Sequence, residues 1–145
     1  MFKNILLVCV GNICRSPMAE ALLAHQLAGK GVRVESAGIG ALVGHAADPM
    51  VQTLMQEQGI DITTHRARQL NAEMIKEFEL ILVMEAWQQK EIESAFPQAR
   101  GRVHRLGKWS DIEIPDPYRK PRNAFEEALK QIETGLDDWK KKLAL

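Results

Sequence analysis

Residues 8–20 read VCVGNICRSPMAE. Upstream, Ile5–Val10 is a continuous apolar, β-rich run, the pattern of a strand covered on both faces. Gly11-Asn12 breaks that run. Ser16-Pro17 then reads as a helix start, with proline at the first helical position, where its missing N–H costs nothing. Ala19, Leu22, Leu23 and Leu27 give the helix an apolar face, and Gly29 and Gly31 end it. Val32–Ala37 reads as a second strand. Strand, helix and strand together form a βαβ unit, which requires parallel pairing and a right-handed crossover.

The same alternation continues along the chain. Asp48-Pro49 starts a helix carrying Val51, Leu54 and Met55, with Gly59 at its end. Asn71 caps a short helix running through Phe78. Leu80–Met84 is a third buried strand, and residues from Glu85 to Phe96 are helical until Pro97 stops them. Arg102–Leu106 is a weaker fourth strand. Trp109 to Arg122, with Pro115, Pro117 and Pro121, reads as a loop. The last helix, Asn123–Leu143, places Phe125, Leu129, Ile132, Leu136 and Trp139 on one face. These elements predict a single α/β domain over residues 1–145: a doubly wound sheet of four parallel strands, with helices on both faces and a phosphate-binding loop after the first strand. In such sheets ligands sit beyond the carboxyl ends of the strands, which is where Cys9–Ser16 falls.

Bulk properties narrow the function classes. At 145 residues the chain is long enough to bury a core without disulfide or metal staples. Nineteen basic residues balance nineteen acidic ones, so the molecule as a whole has no nucleic-acid footprint. No apolar run approaches a membrane span. The opening MFKNILLVCVGN lacks the small-residue cleavage site of a secretory leader. Two cysteines five positions apart do not make an extracellular disulfide framework, so the cytoplasm is the expected compartment. His25, His45, His65 and His104 show no ligand spacing, and no metal or other cofactor is expected. Trp87, Trp109 and Trp139 read as packing residues. Arg66 and Arg68 read as a solvated basic patch, and Lys140–Lys142 as a helix end whose charge suits the dipole.

Both cysteines lie in the opening stretch, and Arg15 follows them. A loop Val10-Gly11-Asn12-Ile13-Cys14-Arg15 closing onto a helix N-terminus can turn all its N–H groups inward as an anion cradle. Gly11 and Asn12 tolerate the positive φ that such a nest needs. Arg15 can grip two phosphate oxygens with its planar fork. Cys9 then lies beneath the phosphorus as a nucleophile, in surroundings that favour its anionic form. Ser16 adds a hydroxyl. The loop lacks the Gly-Lys-Ser/Thr ending of a nucleotide-binding loop. Cys-x5-Arg alone is weak, because a cysteine at a strand end is commonly a small buried apolar side chain. Gly-Asn, Ser-Pro and the strand–loop–helix setting strengthen it.

The stretch VCVGNICRSPMAE resembles the signature of the low-molecular-weight protein tyrosine phosphatases. ESAG at 35–38, ADP at 47–49, HRARQL at 65–70 and PDPYRK at 115–120 fall in that family's order and spacing, over essentially the whole chain. GALVGHAADP and IPDPYRK look most like bacterial members paired with tyrosine autokinases of capsule and exopolysaccharide export. The resemblance implies Cys9 as the nucleophile, Arg15 as the phosphate-binding arginine, Ser16 as the hydroxyl beside the sulfur and Asp116 as the general acid. Asn12, Ser36 and His65 would hold the loop, and Leu42 and Tyr118 would wall a slot for an aromatic ring. It implies a phosphotyrosine protein as partner, a membrane tyrosine autokinase above all, and a monomeric enzyme. Many animal members carry an aromatic residue at the position of Leu42 and a second tyrosine after Tyr118. Here Arg119 follows, so double-tyrosine regulation is not expected. Read without the family, Asp116 is better taken as a turn aspartate between prolines. Cys14 is either a small buried side chain or the disulfide partner of Cys9.

Three other readings compete. Thioredoxin-coupled arsenate reductases share this fold but need a further cysteine pair, and this chain has only two cysteines. Related phosphoarginine hydrolases carry threonine where Ile13 stands, and isoleucine favours an aromatic substrate. A binding module without catalysis would need neither Cys9 nor Asp116.

Overall fold

The computed structural model describes residues 2–145. Four parallel strands, β1 (Asn4–Cys9), β2 (Arg33–Gly38), β3 (Leu80–Val83) and β4 (Val103–Arg105), form one sheet in the order β2-β1-β3-β4. Leu7 pairs with Ser36 on one side and Leu82 on the other, and Cys9 lies beside Gly38. The helices are α1 (Arg15–Gln26), α2 (Pro49–Glu57), α3 (Ala72–Glu77), α4 (Ala86–Ala95) and α5 (Arg122–Leu143).

Alternation along β1 divides the core in two. Ile5, Leu7 and Cys9 face a layer with Met18, Leu22, Val51, Met55, Phe125, Ile132 and Leu136, from α1, α2 and α5. Leu6 and Val8 face Ile75, Phe78, Ile92 and Val103, on the side of α3 and α4. Each such side chain contributes about 1.5–3 kcal/mol when fully buried. A one-residue register slip would exchange the two faces, so the packing fixes where β1 ends. The predicted sheet and its two helical layers are therefore the observed ones.

Differences from the sequence reading are local. α1 begins at Arg15, two residues early, which makes Pro17 its third residue; the first four helical N–H groups have no intrahelical partner, so proline is still tolerated there. Asp48 and Asn71 cap α2 and α3, accepting from the N–H groups of Met50 and Met74. Pro97 ends α4 and opens a 3₁₀ turn, Pro97–Ala99; a second, Lys108–Ser110, lies at the edge of the segment read as loop. Of the three tryptophans expected to pack, only Trp139 is buried. Trp87 is 49% exposed, with its indole N–H bonded to Glu85, and Trp109 is 41% exposed yet packs edge-on against Trp139, with Lys108 and Lys142 over its ring. Among the described residues, no helix is long and apolar enough to cross a membrane.

Candidate active site

The order β2-β1-β3 means that the chain leaves β1 toward one side and β3 toward the other. The crevice at the carboxyl ends of β1 and β3 is the switch point of the sheet. Residues 10–14 fill it, between Cys9 at the end of β1 and Arg15 at the start of α1.

The carbonyls from Cys9 to Ile13 are all drawn outward. Those of Cys9, Val10, Gly11 and Ile13 accept from the N–H groups of Ile39, Gly40, Leu42 and Asp48, at 2.9–3.0 Å. The carbonyl of Asn12 accepts from His65 Nε2 at 2.8 Å, which makes that nitrogen the protonated one. A peptide N–H points opposite its carbonyl, so five outward carbonyls turn the amides of the loop inward. The first N–H groups of α1 add to this concave array of donors. Asn12 sits at φ 59°, in the left-handed region that asparagine tolerates better than most residues.

Asn12 is fully buried and spends every side-chain bond on holding the site. Its Nδ2 donates to Ser16 Oγ at 2.7 Å and to Ser36 Oγ at 2.9 Å, and its Oδ1 accepts from the Arg68 N–H at 3.0 Å. Ser16 Oγ lies 2.9 Å from Cys9 Sγ. Because Ser16 already accepts from Asn12, its own hydroxyl proton is free for the sulfur. Ser36 likewise donates to Glu20. The result is a directed chain from Asn12 through Ser16 to Cys9, and a second from Asn12 through Ser36 to Glu20. Burial raises the Glu20 carboxyl above its ordinary range, opposed by the Ser36 hydrogen bond and by His65 and Arg68. His65 Nδ1 stands 3.9 Å from Glu20.

Arg15 is 2% exposed. Its Nη1 donates to the Ile114 carbonyl at 2.8 Å and lies 3.5 Å from Glu85; its Nη2 lies 3.8 Å from Asp116 Oδ2. Asp116 Oδ1 accepts from the Tyr118 N–H at 3.1 Å, which leaves Oδ2 toward the arginine. Cys9, Val10, Gly11, Ile13, Cys14, Arg15, Gly40, Leu42, Asp116 and Tyr118 line one open cavity of about 180 Å³. Its walls toward solvent are Leu42 and Tyr118, both part-exposed. An anion held by inward amides and a guanidinium, directly above a sulfur and beside a carboxyl, is a setting for displacement at phosphorus.

Every residue singled out from the sequence lies in or against this cavity. Ser16, Ser36, Asn12 and His65 support it from behind, and the remainder line it. Of the two arginines read as a solvated basic patch, Arg66 is exposed and Arg68 is tied into the site. Arg68 Nε donates to the Ser36 carbonyl at 2.9 Å and its guanidinium pairs with Glu35, while Arg66 donates to the carbonyls of Thr63 and His65. Cys14 is buried, and burial pushes its thiol up, with Asp48, Cys9 and Asp116 acting in the same direction; both cysteines are free thiols. Sequence reasoning missed Glu85, the Ile114 carbonyl, Glu20 and Arg68. Glu20 had a signal, since it stands four residues after Ser16 on the same face of α1. The Ile114 carbonyl had none. Among the described residues, no group of three or more His, Cys, Asp or Glu side chains is placed to hold a metal.

Residues 4–145 match the family model described as low molecular weight phosphotyrosine protein phosphatase. The chain belongs to this family. It is 48% identical over 140 residues to the low molecular weight protein-tyrosine-phosphatase Ptp of Acinetobacter johnsonii, covering 97% of both chains. The structure of Vibrio vulnificus Wzb in complex with benzylphosphonate superposes with a TM-score of 0.92 at 38% identity, covering 98% of this chain and 99% of the other. An arginine phosphatase, YwlE from Geobacillus stearothermophilus, superposes at 0.91 with 34% identity, over 99% of this chain and 94% of its own. The phosphatase family and the four-stranded parallel fold expected from the sequence are thus those found.

Proposed function

We propose that this phosphatase hydrolyses phosphotyrosine through a phosphocysteine at Cys9, with Arg15 as the charge clamp and Asp116 as the general acid. The observation that carries this reading is the convergence of the Cys9 sulfur, the Arg15 guanidinium and the Asp116 carboxyl on one cavity whose outer walls are Leu42 and Tyr118. The loop amides of residues 10–16 and the arginine hold the three non-bridging oxygens of the phosphate. The anionic sulfur, receiving a hydrogen bond from Ser16, attacks phosphorus in line. As the S–P bond forms, the P–O bond to the ring breaks. Asp116 passes its proton to the phenolic oxygen. In the second half a water loses a proton to Asp116 while its oxygen attacks phosphorus, and the S–P bond breaks to release phosphate. Asn12, Ser36 and His65 act by holding the loop, and Leu42 and Tyr118 by flanking the ring.

Ile13, Leu42 and Tyr118 present apolar surface to the substrate. Such walls suit a phenyl ring, and at Ile13, where related phosphoarginine hydrolases carry threonine, the side chain has no hydroxyl to offer a guanidino group, which favours phosphotyrosine over phosphoarginine. The substrate proposed is a membrane tyrosine autokinase of capsule or exopolysaccharide production, met in the cytoplasm by a monomeric enzyme.

Purified Cys9→Ser and Asp116→Asn test the assignment on a phosphotyrosine peptide. Cys9→Ser is expected to abolish turnover while still binding vanadate or phosphate, since the cradle remains. Asp116→Asn is expected to lose roughly 10²–10⁴ in kcat on a phenolic ester, the usual worth of a positioned general acid. Normal turnover by Cys9→Ser would refute the mechanism.

A further inference from the structure

Arg119 stands at the mouth of this cavity in a backbone conformation that arginine rarely adopts. The Lys120 N–H bonds the Pro117 carbonyl at 2.9 Å, closing a turn with Tyr118 and Arg119 at its centre. Arg119 occupies the third position of that turn at φ 62°, the place where glycine is ordinarily preferred. Left-handed backbone at a non-glycine residue next to a site points to a use for the side chain. The guanidinium lies over the Tyr118 ring, 5.2 Å from its centre. Tyr118 is itself a wall of the substrate cavity, so this stacking keeps a positive charge at the rim.

The other arginines nearby are already occupied. Arg122 pairs with Glu57 and Glu126, Arg68 with Glu35, and Arg15 lies inside the cavity against Glu85 and Asp116. Among the described residues no carboxylate lies within ion-pair distance of Arg119 or of its neighbour Lys120, and both side chains are exposed. A phosphotyrosine seated between Leu42 and Tyr118 brings its neighbouring residues past this rim. A position one or two residues away lies within about 7 Å along an extended chain, inside the reach of an arginine side chain.

The geometry points to Arg119 as a specificity-determining residue that selects phosphotyrosine sites flanked by acidic side chains or by a second phosphotyrosine. The inference rests on the phosphotyrosine reading above and adds the kind of sequence around the target. The stacked guanidinium supplies an exposed positive charge beside the Tyr118 ring, and the flanking carboxylate or phosphate supplies its partner. The effect falls on substrate capture and leaves the chemical step at Cys9 to the groups already described, so it appears in KM more than in kcat. It weakens with added salt, because the contact is at the rim.

Two phosphotyrosine peptides, one with glutamates and one with lysines on both sides, test this with the full chain. The measured quantity is the ratio of kcat/KM, acidic peptide over basic, at low and high salt. Wild type is expected to favour the acidic peptide. Arg119→Gly removes the charge and eases the turn, and is expected to reduce the ratio roughly twofold to fivefold, the worth of one exposed ion pair. Arg119→Glu is expected to reduce it further, while Arg119→Lys keeps part of it. A ratio unchanged between wild type and Arg119→Glu overturns the inference and leaves phosphotyrosine hydrolysis standing. Failure of wild type to hydrolyse either peptide overturns both readings.

Discussion

Asn12 shows how much one side chain can carry. It adopts φ 59°, is fully buried, and uses both amide protons and its carbonyl oxygen on Ser16, Ser36 and Arg68. Asn12→Ala would keep the loop's length but strand these partners. It would also place an alanine where the left-handed conformation costs roughly 1–2 kcal/mol. Each buried group left without a partner adds about 1–3 kcal/mol. The expected outcome is a loss of several kcal/mol in denaturant unfolding and at least a tenfold loss of kcat/KM on phosphotyrosine peptide. A stable variant with full activity would show that the loop holds its shape without this residue. Residue chemistry was readable in the sequence here: Gly-Asn announced a positive φ and Ser16 a hydroxyl bond to the sulfur, while Ser36 was marked only by the family resemblance. The outward carbonyls were not readable, because their partners at Ile39, Gly40, Leu42, Asp48 and His65 are joined to them by folding alone.

The phosphate loop and the end of β2 were separate features in the sequence, and their contact is set by register. Cys9 pairs with Gly38, and a β-carbon at Gly38 would stand 2.4 Å from the Val10 carbonyl oxygen. That oxygen belongs to the backbone of the phosphate loop and has no room to yield. Gly38→Ala is therefore expected to displace Val10, weaken phosphate or vanadate inhibition at least tenfold, and lower the melting temperature. A variant with unaltered inhibition would show that the loop adapts. Strands and helices were legible because their apolar periods are strong: β1 and β3 as unbroken apolar runs, and α5 as a long one-sided helix. The segment 109–122 was legible only as proline-punctuated loop. Its most useful atom, the Ile114 carbonyl that fixes Arg15, belongs to a peptide group that any residue would supply. Glu85 was visible as a helix start, but nothing local shows that Arg15, seventy positions earlier, would meet it.

Across the whole molecule, the site is bought with a part-buried acid. Glu20 stands on α1 and accepts from Ser36 of β2, and burial raises it above its ordinary value of 4.5. An acid raised in the fold binds more protons folded than unfolded. Its contribution is therefore favourable at pH below about 4.5 and is lost as pH rises through the raised folded value. Glu20→Gln keeps an oxygen for the Ser36 hydroxyl and removes the charge. The melting temperature of wild type, measured relative to Glu20→Gln, is expected to fall between pH 4 and neutrality. A difference independent of pH would mean that the fold does not penalise the ionised carboxylate. The sheet order places Cys9 and Glu85 on adjoining strand ends, and α1 and the 111–118 segment supply Arg15 and Asp116 from either side.

The measurement that reaches the central claim most directly is mass analysis of wild-type enzyme quenched within milliseconds of mixing with phosphotyrosine peptide. One phosphoryl group on the fragment containing Cys9, formed before phosphate is released and absent in Cys9→Ser, is the predicted result. Release of phosphate at the same rate with no phosphorylated Cys9, or a phosphoryl group on another residue, would contradict it.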